Sequence, residues 1–364
     1  MSLSIGIAGL PNVGKSTLFN ALTKAQTAEA ANYPFCTIEP NKATVPMPDA
    51  RLDALSRLVK PKKTVYVTVD FIDIAGLVRG ASKGEGLGNK FLANIRECAA
   101  ILHVVRCFND ESITHVNGLV NPLADIETIE TELLLADLQS VGHRLERLQK
   151  QAKASKEAKA AAEECASLAD ILAQGKTASS FEPSESFKAI FRDMSLLTAK
   201  KTIFCANVDE AGLLEDNAHV RSVREFAASR QTVCVKICAK LEEELQGLPE
   251  NEQAEMLKSY GIEQSGLAGI LHAGYGILDL ISFFTAGPKE ARAWTIKNGD
   301  RAPQAAGVIH SDFERGFIRA EIIAYDDYMR LGSEAACREA GLLRMEGRGY
   351  IMQDADVTHF LFNV

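Results

Sequence analysis

The sequence predicts an α/β fold built on a doubly wound, mostly parallel sheet. Short apolar runs bounded by glycine and polar turn residues recur along the chain, and each has the length of a buried parallel strand. Helical stretches lie between these runs, and such alternation is typical of a doubly wound sheet. The predicted strands span residues 5–8, 65–72, 101–108, 201–207 and 232–237.

Two further segments depart from this alternation. Leucines spaced three and four apart between 133 and 199, without proline in 123–182, predict an antiparallel helical hairpin with its turn in the Ala/Lys-rich stretch 152–162. From about residue 280, short β-like runs separated by turn residues predict a separate small α+β domain. The expected domains are 1–132 with 200–279, the hairpin 133–199, and 280–364.

Composition limits the classes of partner. With 364 residues the chain is long enough for two or three domains, and 46% apolar residues allow a sizeable core. A net charge of −8 argues against coating nucleic acid through global charge, so no DNA partner is expected and any RNA contact must be local. The hairpin offers one such local basic segment, which a solvated helix face explains equally well. We expect this segment in the first arm of the hairpin, and its basic residues are Arg144, Arg147, Lys150, Lys153, Lys156 and Lys159.

The sequence also predicts a cytoplasmic location. Eight cysteines occur without a CxxC pair, which favours reduced thiols in the cytosol. The first residues predict a buried strand rather than a signal peptide. No stretch approaches the roughly 18 apolar residues that a membrane span requires, so no membrane partner is expected.

A glycine-rich motif follows the first predicted strand. Residues 9–16 read Gly-Leu-Pro-Asn-Val-Gly-Lys-Ser, match GxxxxGKS/T, and precede a helical run. Such a loop turns backbone N–H groups towards phosphates, Lys15 reaches the β- and γ-phosphates, and Ser16 is a candidate ligand of Mg²⁺. The candidate nucleotide-binding residues here are Asn12, Val13, Gly14, Lys15, Ser16 and Thr17.

Two downstream motifs support this site. The sequence Asp-Ile-Ala-Gly at 73–76 follows a predicted strand, so Asp73 is placed to hold the Mg²⁺ shell and Gly76 to donate its N–H to the γ-phosphate. Between the two motifs, Thr37 is a candidate third Mg²⁺ ligand in a loop that closes over the phosphate.

Together these motifs resemble the translation-factor-related class of P-loop GTPases. The glycine-rich segment 76–89 looks like the second switch of Obg-family proteins, and the hairpin and C-terminal domain point to the YchF subfamily. That resemblance covers essentially the whole chain. It implies that the last domain is a TGS domain of β-grasp fold.

The base-reading motif departs from that of GTPases. In place of NKxD the chain has Asn-Val-Asp-Glu at 207–210, and a glutamate at the fourth place would misplace the carboxylate that reads guanine. The resemblance implies a preference for ATP, with GTP bound more weakly. It also implies that Asn207 and Val208 line the base pocket together with Phe108, that Glu210 replaces the guanine-reading aspartate, and that residues 238–240 correspond to the base-side SAK loop with Cys for Ser. The alternative for Phe108 is a core role, which is the more common one for an aromatic residue that closes an apolar strand.

The group that positions the attacking water has several candidates. Leu77 stands where Ras-like proteins carry the glutamine that orients water. The family places a loop histidine near the nucleotide, and His115 matches it as a candidate water-positioning group, whereas a surface histidine without a role is the alternative. Asn12 is a candidate K⁺ ligand, with a hydrogen bond to the loop backbone as the alternative. His103, in an apolar strand, is expected to be a core residue.

The resemblance further implies association with the ribosome, and the basic segment of the hairpin offers Lys and Arg side chains that could pair with rRNA phosphates. The expected function is a Mg²⁺-dependent ATPase that acts as a ribosome-associated switch. Two alternatives stay open: a conventional GTP-hydrolysing translation factor in which Glu210 tolerates guanine, and a non-catalytic RNA-binding scaffold stabilised by nucleotide. Intact Lys15, Ser16 and Asp73 weigh against the scaffold.

Overall fold

The computed structural model describes residues 3–29, 41–74, 87–115, 118–153 and 155–363. These residues form two compact units. The larger unit comprises residues 3–45 and 70–273, and the smaller unit comprises 46–69 and 274–363. The boundaries expected from the sequence assign 46–69 to the nucleotide-binding part of the chain, whereas the structure groups this segment with the C-terminal residues.

The described residues form two sheets of six strands each. The strands are β1 (Leu3–Ala8), β2 (Lys42–Met47), β3 (Lys63–Val65), β4 (Val67–Asp73), β5 (Ala100–Arg106), β6 (Lys201–Asn207), β7 (Cys234–Ile237), β8 (Leu280–Ala286), β9 (Glu290–Lys297), β10 (Phe317–Ile323), β11 (Arg344–Glu346) and β12 (Val357–Phe362).

The described residues also form fifteen α-helices. They are α1 (Lys15–Glu29), α2 (Ala50–Val59), α3 (Leu87–Glu97), α4 (Pro122–Gln151), α5 (Lys156–Ala173), α6 (Lys188–Asp193), α7 (Glu210–Leu214), α8 (Ala218–Ser229), α9 (Ala239–Leu245), α10 (Glu250–Ser259), α11 (Gly266–Ile277), α12 (Ala302–Ile309), α13 (Ser311–Arg315), α14 (Tyr325–Leu331) and α15 (Glu334–Glu339). None of the described helices combines the length and apolar character that crossing a bilayer requires.

The first sheet has the strand order β2-β4-β1-β5-β6-β7. The pairs β1/β5, β5/β6 and β6/β7 are parallel, which confirms the predicted doubly wound architecture. β5 is buried along its whole length, and apolar residues of β5 and β6 pack against α8 and α9. Because the strands are parallel, the loops that follow β1, β5, β6 and β7 meet at one edge of the sheet.

The second sheet has the order β11-β10-β12-β8-β9-β3. β8 and β9 form an antiparallel hairpin, and β12 returns parallel to β8, as in a β-grasp fold. One face packs against α12 through Ala302, Ala305 and Ala306. The other packs against α2, α14 and α15. The smaller unit is therefore the α+β structure that the sequence predicts.

One predicted strand is in fact two. The run 65–72 divides between β3 and β4, which belong to different sheets, and Tyr66 lies between them. The Tyr66 hydroxyl donates a hydrogen bond to the Asp53 carboxylate. Consecutive strands rich in valine and threonine carry no sequence signal where one ends and the next begins, so the break is not predicted.

The helical hairpin is longer at its base than predicted. α4 has 30 residues and begins at Pro122, where the Asn121 side chain caps it by accepting from the N–H of Ala124. The turn lies between α4 and α5, and the Ser155 hydroxyl caps α5. Lys156 and Lys159 therefore belong to the second helix, whereas the basic segment predicted from the sequence places them in the first arm. The segment 174–199 forms two 3-10 turns, Ala178–Ser180 and Leu197–Ala199, and α6 rather than a continuation of the helix.

Candidate nucleotide-binding site

Four loops at the carboxyl edge of the first sheet enclose a cavity of about 740 Å³. Among the described residues, its walls are 12 and 14–17 after β1, 108–110 and 113 after β5, 207–211 at and after the end of β6, and 238–240 after β7. The predicted residues Asn12, Gly14, Lys15, Ser16, Thr17, Phe108, Asn207, Val208 and Glu210 line it. Val13, also predicted to bind the nucleotide, is buried and is not one of the lining residues. Topology therefore brings together motifs that are far apart in the sequence.

The loop after β1 needs its glycines. Gly9 and Gly14 have φ values of 153° and 97°, which L side chains rarely adopt. A Cβ at Gly14 would lie 2.1 Å from the Nδ2 atom of Asn207. The loop leads directly into α1, a helix of 15 residues, so that unpaired N–H groups at the start of the helix face the cavity.

Lys15 is largely buried in this loop. Its Nζ atom donates to the carbonyl oxygen of Leu10 across 2.6 Å. Burial lowers the pKa of Lys15 to about 8, although the carboxylate of Asp73 opposes that change. Burial likewise raises the pKa of Asp73 above its ordinary value, and the Lys15 ammonium opposes this. An anion in the cavity would stabilise charged Lys15, and a cation would stabilise charged Asp73.

Asn207 braces two loops. It is 4% exposed, its Nδ2 atom donates to the carbonyl oxygen of Val13 across 2.9 Å, and its Oδ1 atom accepts from the N–H of Ala239 across 3.0 Å. The side chain thus fastens the loop after β1 to the loop after β7. The sequence predicts Asn207 as a lining residue of the base pocket, and the structure adds that its amide joins the loops after β1 and β7.

The two carboxylates after β6 have different partners. Asp209 caps α7, since its Oδ1 atom accepts from the N–H of Gly212 across 2.8 Å. Glu210 lines the cavity and pairs with Lys240, with 3.0 Å between Oε1 and Nζ. Sequence reasoning named Lys240 only as part of a resemblance, although its position three residues after a predicted strand could have suggested it. Only Glu210 of these two carboxylates carries a salt bridge across the cavity wall.

Asn12 and Phe108 also have identified contacts. The Nδ2 atom of Asn12 donates to the carbonyl oxygen of Thr114 across 3.1 Å, so its side chain contacts the loop after β5 and not the backbone of its own loop. Phe108 is half-buried beneath the guanidinium of Arg106, which lies 4.7 Å from the ring centroid. Sequence reasoning missed Arg106, although a charged residue ending an apolar strand is a visible signal.

Neither His115 nor His103, the two histidines considered from the sequence, lines the cavity. His115 is buried, and its Nε2 atom is 2.9 Å from Oδ2 of Asp125 in the first turn of α4. His103 is buried in β5, where desolvation and the nearby Lys15 lower its pKa to about 3. His103 is therefore the neutral core residue that the sequence predicts. Thr37 and Gly76 lie outside the described residues.

Oxygen donors for a hard cation are present beside Lys15. Ser16, in the first turn of α1, lines the cavity, and Asp73 ends β4. Mg²⁺ prefers such hydroxyl and carboxylate ligands. The raised pKa of Asp73 is consistent with a carboxylate that a divalent cation would hold ionised.

This fold and this cavity define a P-loop nucleotide-binding protein. A family described as 50S ribosome-binding GTPases matches residues 4–137, and a family of C-terminal YchF-GTPase domains, described as of unknown function, matches residues 280–363. The chain is 54%, 53% and 51% identical to the proteins named ribosome-binding ATPase YchF from Haemophilus influenzae, Escherichia coli O157:H7 and Bacillus subtilis, over 100% of each chain. The chain therefore belongs to the YchF family.

A solved structure supports the same assignment. The structure of the Schizosaccharomyces pombe YchF GTPase is 38% identical to this chain, with a TM-score of 0.88 over 99% of this chain and 98% of that one. The likeness extends over both units of the chain, as the predicted resemblance does.

Proposed function

We propose that this protein binds ATP with Mg²⁺ in the cavity, hydrolyses it, and couples the cycle to ribosome binding in the cytoplasm. The observation that carries the choice of ATP is the arrangement at 209–210. Guanine recognition uses an aspartate carboxylate that accepts two hydrogen bonds from the base. Here Asp209 is engaged in capping α7, and the cavity receives the longer side chain of Glu210, which is paired with Lys240.

The names of the relatives divide on this point. The curated relatives are called ATPases, whereas the Schizosaccharomyces pombe structure and the matching N-terminal family are called GTPases. The geometry of Asp209 and Glu210 favours the first group. We therefore propose GTP as a weaker ligand of the same cavity.

The proposed chemistry uses the residues that the sequence predicts for phosphate and metal binding. Lys15 leaves the Leu10 carbonyl and pairs with the β- and γ-phosphates, and the N–H groups that open α1 bind phosphate oxygens. Bound Mg²⁺ would neutralise charge on the phosphates, and Ser16, Thr37 and Asp73 would hold it. The N–H of Gly76 would contact the γ-phosphate. Each contact stabilises charge on the phosphates, which phosphoryl transfer requires.

Water positioning is proposed for His115, with K⁺ as an additional activator. His115 would reach the nucleotide only after leaving Asp125, because it contributes nothing to the cavity wall. Asn12 donates its amide N–H to Thr114, which leaves its Oδ1 atom as the candidate K⁺ ligand.

Ribosome contact is proposed for the hairpin, with rRNA phosphates as the partner. Exposed Lys150 on α4, Lys153 in the turn and Lys156 at the start of α5 place positive charge on both sides of the tip. For the domains we propose a nucleotide-binding domain with an inserted hairpin, and a TGS domain built on the second sheet. The segment 46–69 contributes α2 to that sheet's core.

Base selectivity is tested by titrating the purified protein with Mg-ATP and Mg-GTP, alongside Glu210→Asp. Tighter ATP binding in the wild type, shifting towards GTP in the variant, is the expected result. The matched control is Glu215→Asp, the same change at the exposed end of α7, which should leave both affinities unchanged. A clear GTP preference in the wild type would favour the translation-factor alternative. ATP binding without phosphate release, measured in a parallel turnover assay, would favour the scaffold.

A further inference from the structure

Arg106 is a buried cation at the end of β5. Its side chain is 1% exposed and is among the largest fully buried side chains of the described residues. No ion pair links it to a carboxylate in the part of the chain that the structure describes. A buried guanidinium requires hydrogen-bond acceptors on its donors, so its partners reveal its role.

All three of its nitrogen atoms donate to the loop that follows the strand. Nε donates to the carbonyl oxygen of Phe108 across 3.2 Å, Nη1 to that of Ile113 across 3.0 Å, and Nη2 to that of Asp110 across 3.0 Å. The guanidinium also lies 4.7 Å from the centroid of the Phe108 ring. One planar fork therefore fixes three points on an irregular loop.

The same three residues face the nucleotide cavity. Phe108, Asp110 and Ile113 line it, and the next residue, Thr114, accepts the hydrogen bond from Asn12. The backbone N–H and C=O groups of an irregular loop need hydrogen-bond partners outside regular strands and helices. Here Arg106 supplies the donors for three backbone carbonyl oxygens. The loop is therefore fixed by hydrogen bonds from two side chains: Arg106 at the end of β5 and Asn12 in the phosphate-binding loop.

We propose that Arg106 is a positioning residue for nucleotide binding: its guanidinium holds the cavity-facing loop 107–115 in the conformation that receives the nucleotide. This rests on the proposed function, since the ligand is the nucleotide bound in that cavity. Arg106 itself does not touch the ligand. Its effect passes through Phe108, Asp110 and Ile113.

The test is Mg-ATP titration of the full-length protein with Arg106→Met, Arg106→Gln and Arg106→Lys. Met removes every donor, Gln keeps two neutral donors, and Lys keeps the charge without the planar fork. We expect the Kd for ATP to rise at least tenfold for Met and by intermediate factors for Gln and Lys. Binding stoichiometry reports the folded fraction and separates weaker binding from loss of folded protein.

The control is Arg348→Met, the same change at an exposed arginine of the smaller unit. Arg348 also donates from Nη2 to a phenylalanine carbonyl, that of Phe317, across 2.8 Å, and lies 5.9 Å from the centroid of that ring. This variant should bind ATP as the wild type does. If all Arg106 variants bind ATP within twofold of the wild-type Kd, or if only their stoichiometry falls, Arg106 has no positioning role. If the wild type itself fails to bind ATP, the proposed function fails instead.

Discussion

The side chain of Asn12 reaches from the phosphate-binding loop to the carbonyl oxygen of Thr114, with 3.1 Å between the Nδ2 and O atoms. The following residue, His115, places its Nε2 atom 2.9 Å from Oδ2 of Asp125 at the start of α4, within hydrogen-bond distance. α4 then runs for 30 residues, about 45 Å, to the basic tip of the hairpin. The nucleotide cavity and the proposed ribosome-binding surface are thus joined through one short loop and one continuous helix.

Asn12→Gly tests two roles of this side chain, the hydrogen bond of Nδ2 to Thr114 and the proposed binding of K⁺ by Oδ1. Glycine tolerates the φ of 61° at this position, so the substitution removes the amide without adding backbone strain. Losing one hydrogen bond of about 1 kcal/mol should weaken ATP binding about fivefold. If Oδ1 holds K⁺, the ratio of ATPase rates in K⁺ and Na⁺ should also fall towards one. Equal wild-type rates in the two salts would exclude K⁺ activation.

Asn207→Ala should disturb both folding and binding. It leaves the carbonyl of Val13 and the N–H of Ala239 without their buried partner, and each such group costs about 1–3 kcal/mol. We expect a lower urea midpoint and an ATP affinity reduced at least tenfold. Asn298→Ala, which removes an exposed amide at 3.2 Å from Asp279 in the smaller unit, is the control and should change neither. An unchanged ATP affinity in Asn207→Ala would contradict the bracing role.

Short sequence patterns predict the strands and the phosphate-binding loop, but they do not predict contacts between residues far apart in the chain. β6 occupies 201–207 as predicted, because an apolar run between polar turns specifies a buried strand. Asn207 lines the nucleotide cavity, but its hydrogen bond to Val13 joins residues 194 positions apart, and no periodicity encodes that contact. Arg106 was missed because its acceptors are backbone carbonyls, which every sequence contains. The division of 65–72 into two strands depends on their partners in two different sheets.

Asp209 should prove structural rather than base-reading. Removing a side-chain cap by substitution with alanine costs about 1 kcal/mol, whereas asparagine caps nearly as well as aspartate. Asp209→Ala should therefore lower the urea midpoint, and Asp209→Asn should restore it. Neither variant should alter the ratio of ATP to GTP affinity, measured by the same titrations. A shift of that ratio towards either nucleotide would show that Asp209 reads the base.

The hairpin tip should determine ribosome association. Lys150→Glu, Lys153→Glu and Lys156→Glu, combined in one protein, reverse three exposed charges at the end of α4, in the turn and at the start of α5. Because every phosphate that a lysine neutralises adds to the salt-dependent affinity, co-sedimentation with ribosomes at low salt should drop at least tenfold. The control combines Lys201→Glu, Arg221→Glu and Lys258→Glu, equal in charge and placed elsewhere in the larger unit. Equal losses of co-sedimentation in both proteins would point to net charge, and no loss in either would exclude the tip.

Lys15 should make stability depend on pH in the absence of nucleotide. Its pKa is about 8 in the folded protein and about 10.4 in the unfolded chain. Between these values the unfolded chain binds more protons, so the contribution of Lys15 to stability rises with pH across this window. Burying the charged ammonium is costly below pH 8, and the cost disappears as the pH approaches 10.4.

Lys15→Met should therefore be more stable than the wild type at pH 7, by about 1–3 kcal/mol, and the difference should narrow by pH 10. Urea unfolding of both proteins at the two pH values measures this, and the subtraction cancels the titrating groups that the charge of Lys15 does not affect. Lys24→Met, at an exposed position on the same helix, is the control and measures how the same substitution changes stability without burial. A stability difference that is the same at both pH values would mean that Lys15 keeps an ordinary pKa, and that its position against the Leu10 carbonyl involves no desolvation penalty for a phosphate to relieve.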